Sequence, residues 1–280
     1  MILTDSTAAR VQGSTVTGII SVSSTFYQFM CYSAITILQA IGGTIGLVKN
    51  GIQTLTLEGF VNYTGKTQIK AGSLIIASGS LIGIISGEGS LTKISSGILS
   101  LIGGAGNQYT GGTFFNQGRL SFNSGSAFGT GLFTSQGGTD ILTGSAAVIP
   151  NNFLINSGTL GLTTLGANTV VITGDISGVG SVNKSGNGIY DLKGNLSYTG
   201  STNITTGTIR AYKTVGVSKA TANFTTATTL TITFDVPPAE GTQTYTFFQG
   251  STRSYTTINL VNAPGRTGAF NSTTSTLTIT

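Results

Sequence analysis

Apolar and polar residues alternate along most of this chain, in runs of four to six closed by Gly, Ser or Asn. In "LTKISSGILSLIG" the apolar positions are Leu91, Leu99 and Leu101, with Ile98 one step out; in "TQIKAGSLIIASG" they are Ile69, Leu74 and Ile76. A period of two marks strands with one buried face, because successive side chains leave a strand on opposite sides. No segment keeps a helical period. The pattern predicts an all-β chain of short strands and tight turns, with Leu99 and Leu101 pointing inward.

The alternation is itself repeated. "NYTGKTQIKAGSLIIASG", "QYTGGTFFNQGRLSFNSG" and "SYTGSTNITTGTIRAYK" begin at Asn62, Gln108 and Ser197, and "NNFLINSGTLGL", from Asn151, keeps the second half of the same motif. A second motif runs in antiphase: "GEGSLTKISSGILSLIG" from Gly87 aligns with "GVGSVNKSGNGIYDLKG" from Gly178 and, more loosely, with "GTIGLVKNGIQTLTLEG" from Gly43. Lys49, Lys93 and Lys184 share one column. The unit is roughly 44 residues, present about four times between Gly43 and Lys213, with a decayed copy near residues 131–150.

A long repeat of short strands folds as a β-solenoid or as a propeller. Propeller blades favour long antiparallel strands and Trp-containing signatures, and this chain has no Trp. A solenoid is the better fit, with two coils of about 22 residues in each repeat. In that fold Thr-Gly at Thr64-Gly65, Thr110-Gly111 and Thr199-Gly200 makes one corner. Gly72, Gly118 and Gly207, with which Gly158 aligns, make the next, where positive φ is cheap only for Gly. The Tyr rings are expected to pack beside the corner, and the Lys column to project from an outer face.

These repeats resemble the passenger-associated strand repeats of bacterial autotransporter proteins. One half reads "G-x-G-x-L-x-K-x-G-x-G-x-L-x-L", here from Gly87 and Gly178. The other reads "Y-T-G-x-T-x-I-x-x-G-x-L", here from Tyr63, Tyr109 and Tyr198. The resemblance implies a right-handed parallel β-helix and little about activity, because the repeat is a scaffold. Residues 1–42 are expected to cap the first coil, residues 43–213 to form the solenoid, and residues 214–280 a C-terminal β cap of longer strands such as "TTLTITFDV".

Composition narrows the chemistry. Of 280 residues 42 are Gly and 4 Pro, 39% are hydrophobic and 8% charged, so the chain is neither collagen-like nor disordered. The net charge of +5 is spread without a basic run, which argues against specific nucleic-acid binding. Cys31 stands alone, so no internal disulfide forms, and its setting predicts a buried small hydrophobe. There is no His, which removes His triads, His bases and His metal ligands, and no phosphate loop is present. The eight acids are Asp5, Glu58, Glu88, Asp140, Asp175, Asp191, Asp235 and Glu240. None forms a pair spaced one coil apart, as glycoside cleavage on a solenoid would need. No catalytic residue, cofactor or metal ligand is expected.

The apolar run "FYQFMCYSAITILQAI", residues 26–41, contains Gln28 and Gln39 and is short for a membrane span. It holds more apolar surface than one coil end needs. Phe26, Tyr27, Phe29, Met30 and Tyr32 are therefore the candidate contacts of an attachment or self-association surface. A leader of the ordinary secretory kind is not expected. Together these readings predict a non-enzymatic structural β-solenoid, foremost a virion fibre or decoration protein, on a virion or extracellular surface. Its partners would be structural proteins of the same particle, further copies of itself, or a surface glycan. A cell-surface adhesin of passenger type is the second reading, and a polysaccharide-cleaving β-helix enzyme the third.

Overall fold

The alternating runs form strands, and the strands stack in parallel. The structure, a computed structural model, describes residues 9–11, 15–16, 26–31, 33–38, 40–103, 106–248 and 254–280, with side chains described from Phe26 onward. Among these residues there is no helix, and hence none long and apolar enough to cross a membrane. The chain winds through about nine turns of a parallel β-solenoid. Most turns present three short strand segments, so the stack has three ladders, the first of which has no strand between Ile85–Ser86 and Ala147–Ile149 among the described residues.

The second ladder shows how the core is made. Ile35, Leu55, Leu74, Leu91, Thr113, Phe133, Phe153 and Ile176 stand one above another in register. All are buried. Their neighbours Thr56, Ile75, Phe114 and Leu154 face outward and are half-buried. On the third ladder Leu101 pairs with Leu81 below and Phe122 above, and Leu99 with Leu120. Leu99 and Leu101 are core residues and Ile98 is exposed, as the alternation predicts. Some strands turn a corner without breaking: Leu55–Tyr63 pairs with Ser73–Leu81, its register shifting between Leu57 and Phe60.

Parallel pairing extends to the N-terminal side of Gly43. Phe26–Met30 pairs with Gly46–Asn50, and Ile35–Ile37 with Leu55–Leu57. Cys31 is buried, as expected. At the other end Thr208–Val215 is the last strand laid parallel on the stack, on Ile189–Leu192, and it then turns back as an antiparallel hairpin with Ser218–Phe224. Thr229–Phe234 and Thr257–Val261 extend that sheet. Gln243–Thr246, Thr276–Ile279 and Gly268–Asn271 make a small antiparallel sheet over the end. An aromatic cluster closes the core there. Phe224 meets Phe247, Phe248, Tyr255 and Phe270 at 4.8 to 6.1 Å between ring centroids, and Phe248 lies 6.2 Å from Tyr198 of the last coil. Burying the last rung this way covers a sheet end that would otherwise offer unpaired strands.

One expectation is corrected. A coil is not half of the 44-residue repeat. In-register partners on successive coils lie 17 (Leu74 and Leu91) to 23 (Phe153 and Ile176) residues apart, and most lie near 20. The repeat is therefore out of step with the coil, and equivalent residues fall on different ladders. Lys49 sits in Gly46–Asn50 on the first ladder, Lys93 in Ser90–Lys93 on the second and Lys184 in Ser181–Ser185 on the third.

Candidate functional site

The repeated residues are the natural place to look for a site, and the structure assigns most of them to the stack. Lys49, Lys93 and Lys184 do not project outward; all three are fully buried. Each ammonium folds back onto its own corner and donates to backbone carbonyls. Lys49 Nζ bonds Asn50 O at 3.2 Å, Gly51 O at 2.7 Å and, one coil on, Ala71 O at 2.9 Å. Lys93 Nζ bonds Ile94 O, Ser95 O at 2.7 Å and Gln117 O at 3.2 Å. Lys184 Nζ bonds Ser185 O at 2.5 Å, Gly186 O at 2.6 Å and, more weakly, Thr164 Oγ1 at 3.4 Å. The residue two places after each lysine has positive φ: Gly51, Ser95 and Gly186. That bend turns two carbonyls toward the ammonium, which is why a buried cation is tolerated without a carboxylate. Burial outweighs the carbonyls and pushes Lys93 and Lys184 down to about 8.

The Tyr-Thr-Gly-x-Thr string has a matching explanation. Tyr63, Tyr109 and Tyr198 are buried, and each hydroxyl shares a hydrogen bond with the Thr four residues later. The partners are Thr67 at 2.7 Å, Thr113 at 2.6 Å and Thr202 at 2.6 Å. Burial raises all three tyrosine pKa values far above the usual range. Gly118 has a φ of 76°, and a Cβ there would sit 2.6 Å from Gly97 O and 2.9 Å from Lys93 Nζ. Gly111 has a different reason: a side chain would strike the backbone of Gly89 and Ser90 one coil below. So the two antiphase motifs interlock, the lysine of one bracing the glycine corner of the other.

The five candidate attachment residues are divided by the fold. Tyr27 and Phe29 are core, each 1% exposed, and therefore spend their apolar surface on packing. Phe26 is 46% exposed and its ring lies against Gly46 of the next coil, while Met30 is half-buried. Tyr32 lies outside the described residues.

Four of the described carboxylates are each engaged by separate partners. Asp140 pairs with Arg119 at 3.5 Å and accepts from Thr163; Asp191 pairs with Arg210 at 3.7 Å and accepts from Tyr212 at 2.5 Å. Asp175 and Asp235 accept backbone N–H groups. Among the described residues no three of His, Cys, Asp and Glu come together as a metal cluster.

Comparison with known proteins agrees with this anatomy. The passenger-associated-transport-repeat family matches residues 47–76, 91–122 and 182–211. Each stretch holds one lysine corner, one Tyr–Thr bond and the positive-φ glycine of the second motif, Gly72, Gly118 or Gly207. An adhesin autotransporter, BmaC, of Brucella suis biovar 1 (strain 1330) is 29% identical over 215 residues. That covers 64% of this chain and 6% of the adhesin, so the chain spans a small part of that relative. No solved structure matches.

Proposed function

We propose that this repeat solenoid is a rigid segment of a cell-surface protein of the adhesin type, presenting binding surface and catalysing nothing. The observation that carries the reading is where the signature residues go. In each matched stretch the lysine, the Tyr–Thr pair and the glycine are consumed by the stack. Outer positions carry many Thr, Ser and Asn, as in the paired Asn183 and Asn203 and the paired Ser181 and Ser201, among scattered exposed apolar residues such as Ile52, Leu132 and Val148. Such faces suit display and spacing. The relative named as an autotransporter adhesin supports a cell surface as the setting. The virion fibre expected first from the sequence draws no support from these comparisons. Dispersed carboxylates, each held by a cation, a hydroxyl or a backbone N–H where a partner is seen, favour display over polysaccharide cleavage.

Beads coated with the purified chain test this. They should attach to cultured epithelial cells more than albumin-coated beads do, and the chain should release no new reducing ends from neutral or acidic polysaccharides. Attachment no better than albumin, or release of reducing ends, would overturn the reading.

A further inference from the structure

The hairpin that ends the stack is longer than the strand beneath it. Thr208–Val215 pairs with Ile189–Leu192 only from Thr208 to Ala211. Residues 212–215 therefore overhang the corner that follows Leu192. Between overhang and corner lies an open cleft of about 520 Å³, lined among others by Lys193, Asn195, Tyr212, Lys213, Thr214 and Lys219. We propose that this cleft binds an acidic polysaccharide, with Lys193, Lys213 and Lys219 contacting its carboxylate or sulfate groups. The proposal rests on the cell-surface reading above and gives it a site.

Of the 13 basic residues, Lys49, Lys93 and Lys184 are spent on buried carbonyls. Arg119 and Arg210 are paired with acids, and Arg266 is committed to the carbonyls of Ala239 and Gly241. The side chains of Arg10 and Arg253 lie outside the described residues. Five exposed lysines are left, Lys66 and Lys70 around one early strand and the three of the cleft. In a chain whose charge is otherwise scattered, three exposed lysines share one concavity.

The cleft is also organised. Tyr212 donates its hydroxyl to Asp191, which Arg210 grips from the other side, so the ring is fixed in place. Lys219 Nζ then sits over that ring, 4.5 Å from its centroid. An ammonium already held loses less freedom when an anion arrives. The local acids are engaged by other donors, though Asp235 lies close enough to act on the Lys219 charge. Asp191 is buried and committed, and Asp175 is turned to the backbone N–H of Asn195. Asp235 accepts the N–H groups of Lys219 and Val236, and these, with the nearby Lys219 charge, hold its carboxyl below the usual range. No ion pair forms on any of the three lysines among the described residues. The site is open and polar, unlike the enclosed apolar pockets that hold small metabolites. Single exposed contacts of this kind are weak, because water and salt screen them. Useful affinity therefore calls for a polymer that repeats its charge.

The test uses the full chain with heparin, polygalacturonate, neutral dextran and phosphatidylglycerol vesicles as probes. Heparin or polygalacturonate should bind and dextran should not. Raising salt from about 0.05 to about 0.5 M should abolish binding, since screening shortens the reach of exposed charges. The triple variant Lys193→Gln/Lys213→Gln/Lys219→Gln should melt like the parent and bind roughly tenfold more weakly or worse. Lys66→Gln/Lys70→Gln should stay within about twofold. Equal loss in both variants would reduce the effect to net charge, and binding to vesicles alone would assign the site to a lipid headgroup; either overturns the proposal. The bead assay separates this inference from its premise. If the triple variant adheres like the parent, the cleft is not the adhesive site and the surface reading stands. If the parent binds polysaccharide but does not adhere, the surface reading falls.

Discussion

The matched repeats and the stretch between them, residues 123–181, build the same coils by different means. In the repeats a lysine ammonium gathers the corner carbonyls and a Tyr–Thr bond fills the inside. In the intervening stretch there is no lysine. Asn151 Nδ2 bridges Gly129 O at 3.1 Å and Gly131 O at 2.8 Å, and aromatic rings fill the core. Phe133 is the centre of that filling, 4.7 Å from Phe153, 4.9 Å from Phe128 and 6.0 Å from Phe115 between centroids. On the second ladder strand pairing passes through, with one register shift between Ser135 and Gln136. The coil therefore needs its corner carbonyls satisfied and its volume filled, and more than one residue set does both. The family signature marks one of these solutions rather than the solenoid itself.

Substitutions can break each solution separately. The largest loss is expected from Gly118→Val. The β-branched side chain would have to adopt positive φ while meeting Gly97 O and Lys93 Nζ, and also the carbonyl of Ser95. About 4 kcal/mol or more should be lost in denaturant unfolding. A parental midpoint would mean the corner can be rebuilt without glycine. Phe133→Ala comes next in size. It empties the middle of the aromatic column and should cost about 3–5 kcal/mol. A loss under about 1 kcal/mol would show that the neighbouring rings collapse into the space.

Lys93→Met keeps the length and apolar stem but leaves the carbonyls of Ile94, Ser95 and Gln117 without their donor. A loss of about 1–3 kcal/mol is expected, offset in part by no longer burying a charge. A stabilised variant would show that the ammonium costs more than the corner gains.

Stability against pH should separate the two buried groups of the repeat. Lys93 and Lys184 fall to about 8 in the fold from an ordinary 10.5. Between about pH 8 and 10 the unfolded chain therefore binds more protons, and stability rises with pH. Tyr63, Tyr109 and Tyr198 are raised from 10.0, so above about pH 10 the unfolded tyrosines ionise first and stability falls. Unfolding curves across this range should pass through a maximum near pH 10, and Lys93→Met/Lys184→Met should flatten the rising limb. A stability that declines steadily from about pH 8 would contradict the depressed lysines. The smallest effect is that of Tyr109→Phe, about 1 kcal/mol, because Thr113 keeps a second partner in Phe128 O at 3.0 Å. A larger loss at Tyr198→Phe than at Tyr109→Phe would show that closure by Phe248 depends on the hydroxyl's position.

How the chain itself announces this fold is plain in a few places. The period of two places Leu99 and Leu101 inside, because strand geometry alone sends alternate residues to opposite faces. The repeated Gly72, Gly118 and Gly207 foretell positive φ, because that conformation is a local property of one residue, and the aligned Gly158 shares it. What depends on residues a whole coil away could not be read. The lysine column looks like an outer face until Ala71 O and Gln117 O, 22 and 24 residues further on, supply acceptors that make burial affordable. Equal spacing in the chain suggests one column on one face. Only the coil length, near 20 against a repeat of roughly 44, reveals that equivalents are dealt onto three ladders. Tyr27 and Phe29 read as surplus apolar surface, but the parallel strand Gly46–Asn50 turns them into core. The lysine cleft has no motif at all, since it exists because one hairpin outruns the strand below it. Local conformation and face alternation were decided by the sequence, while which charges are buried, and which are left together on the surface, was decided by how the coils stack.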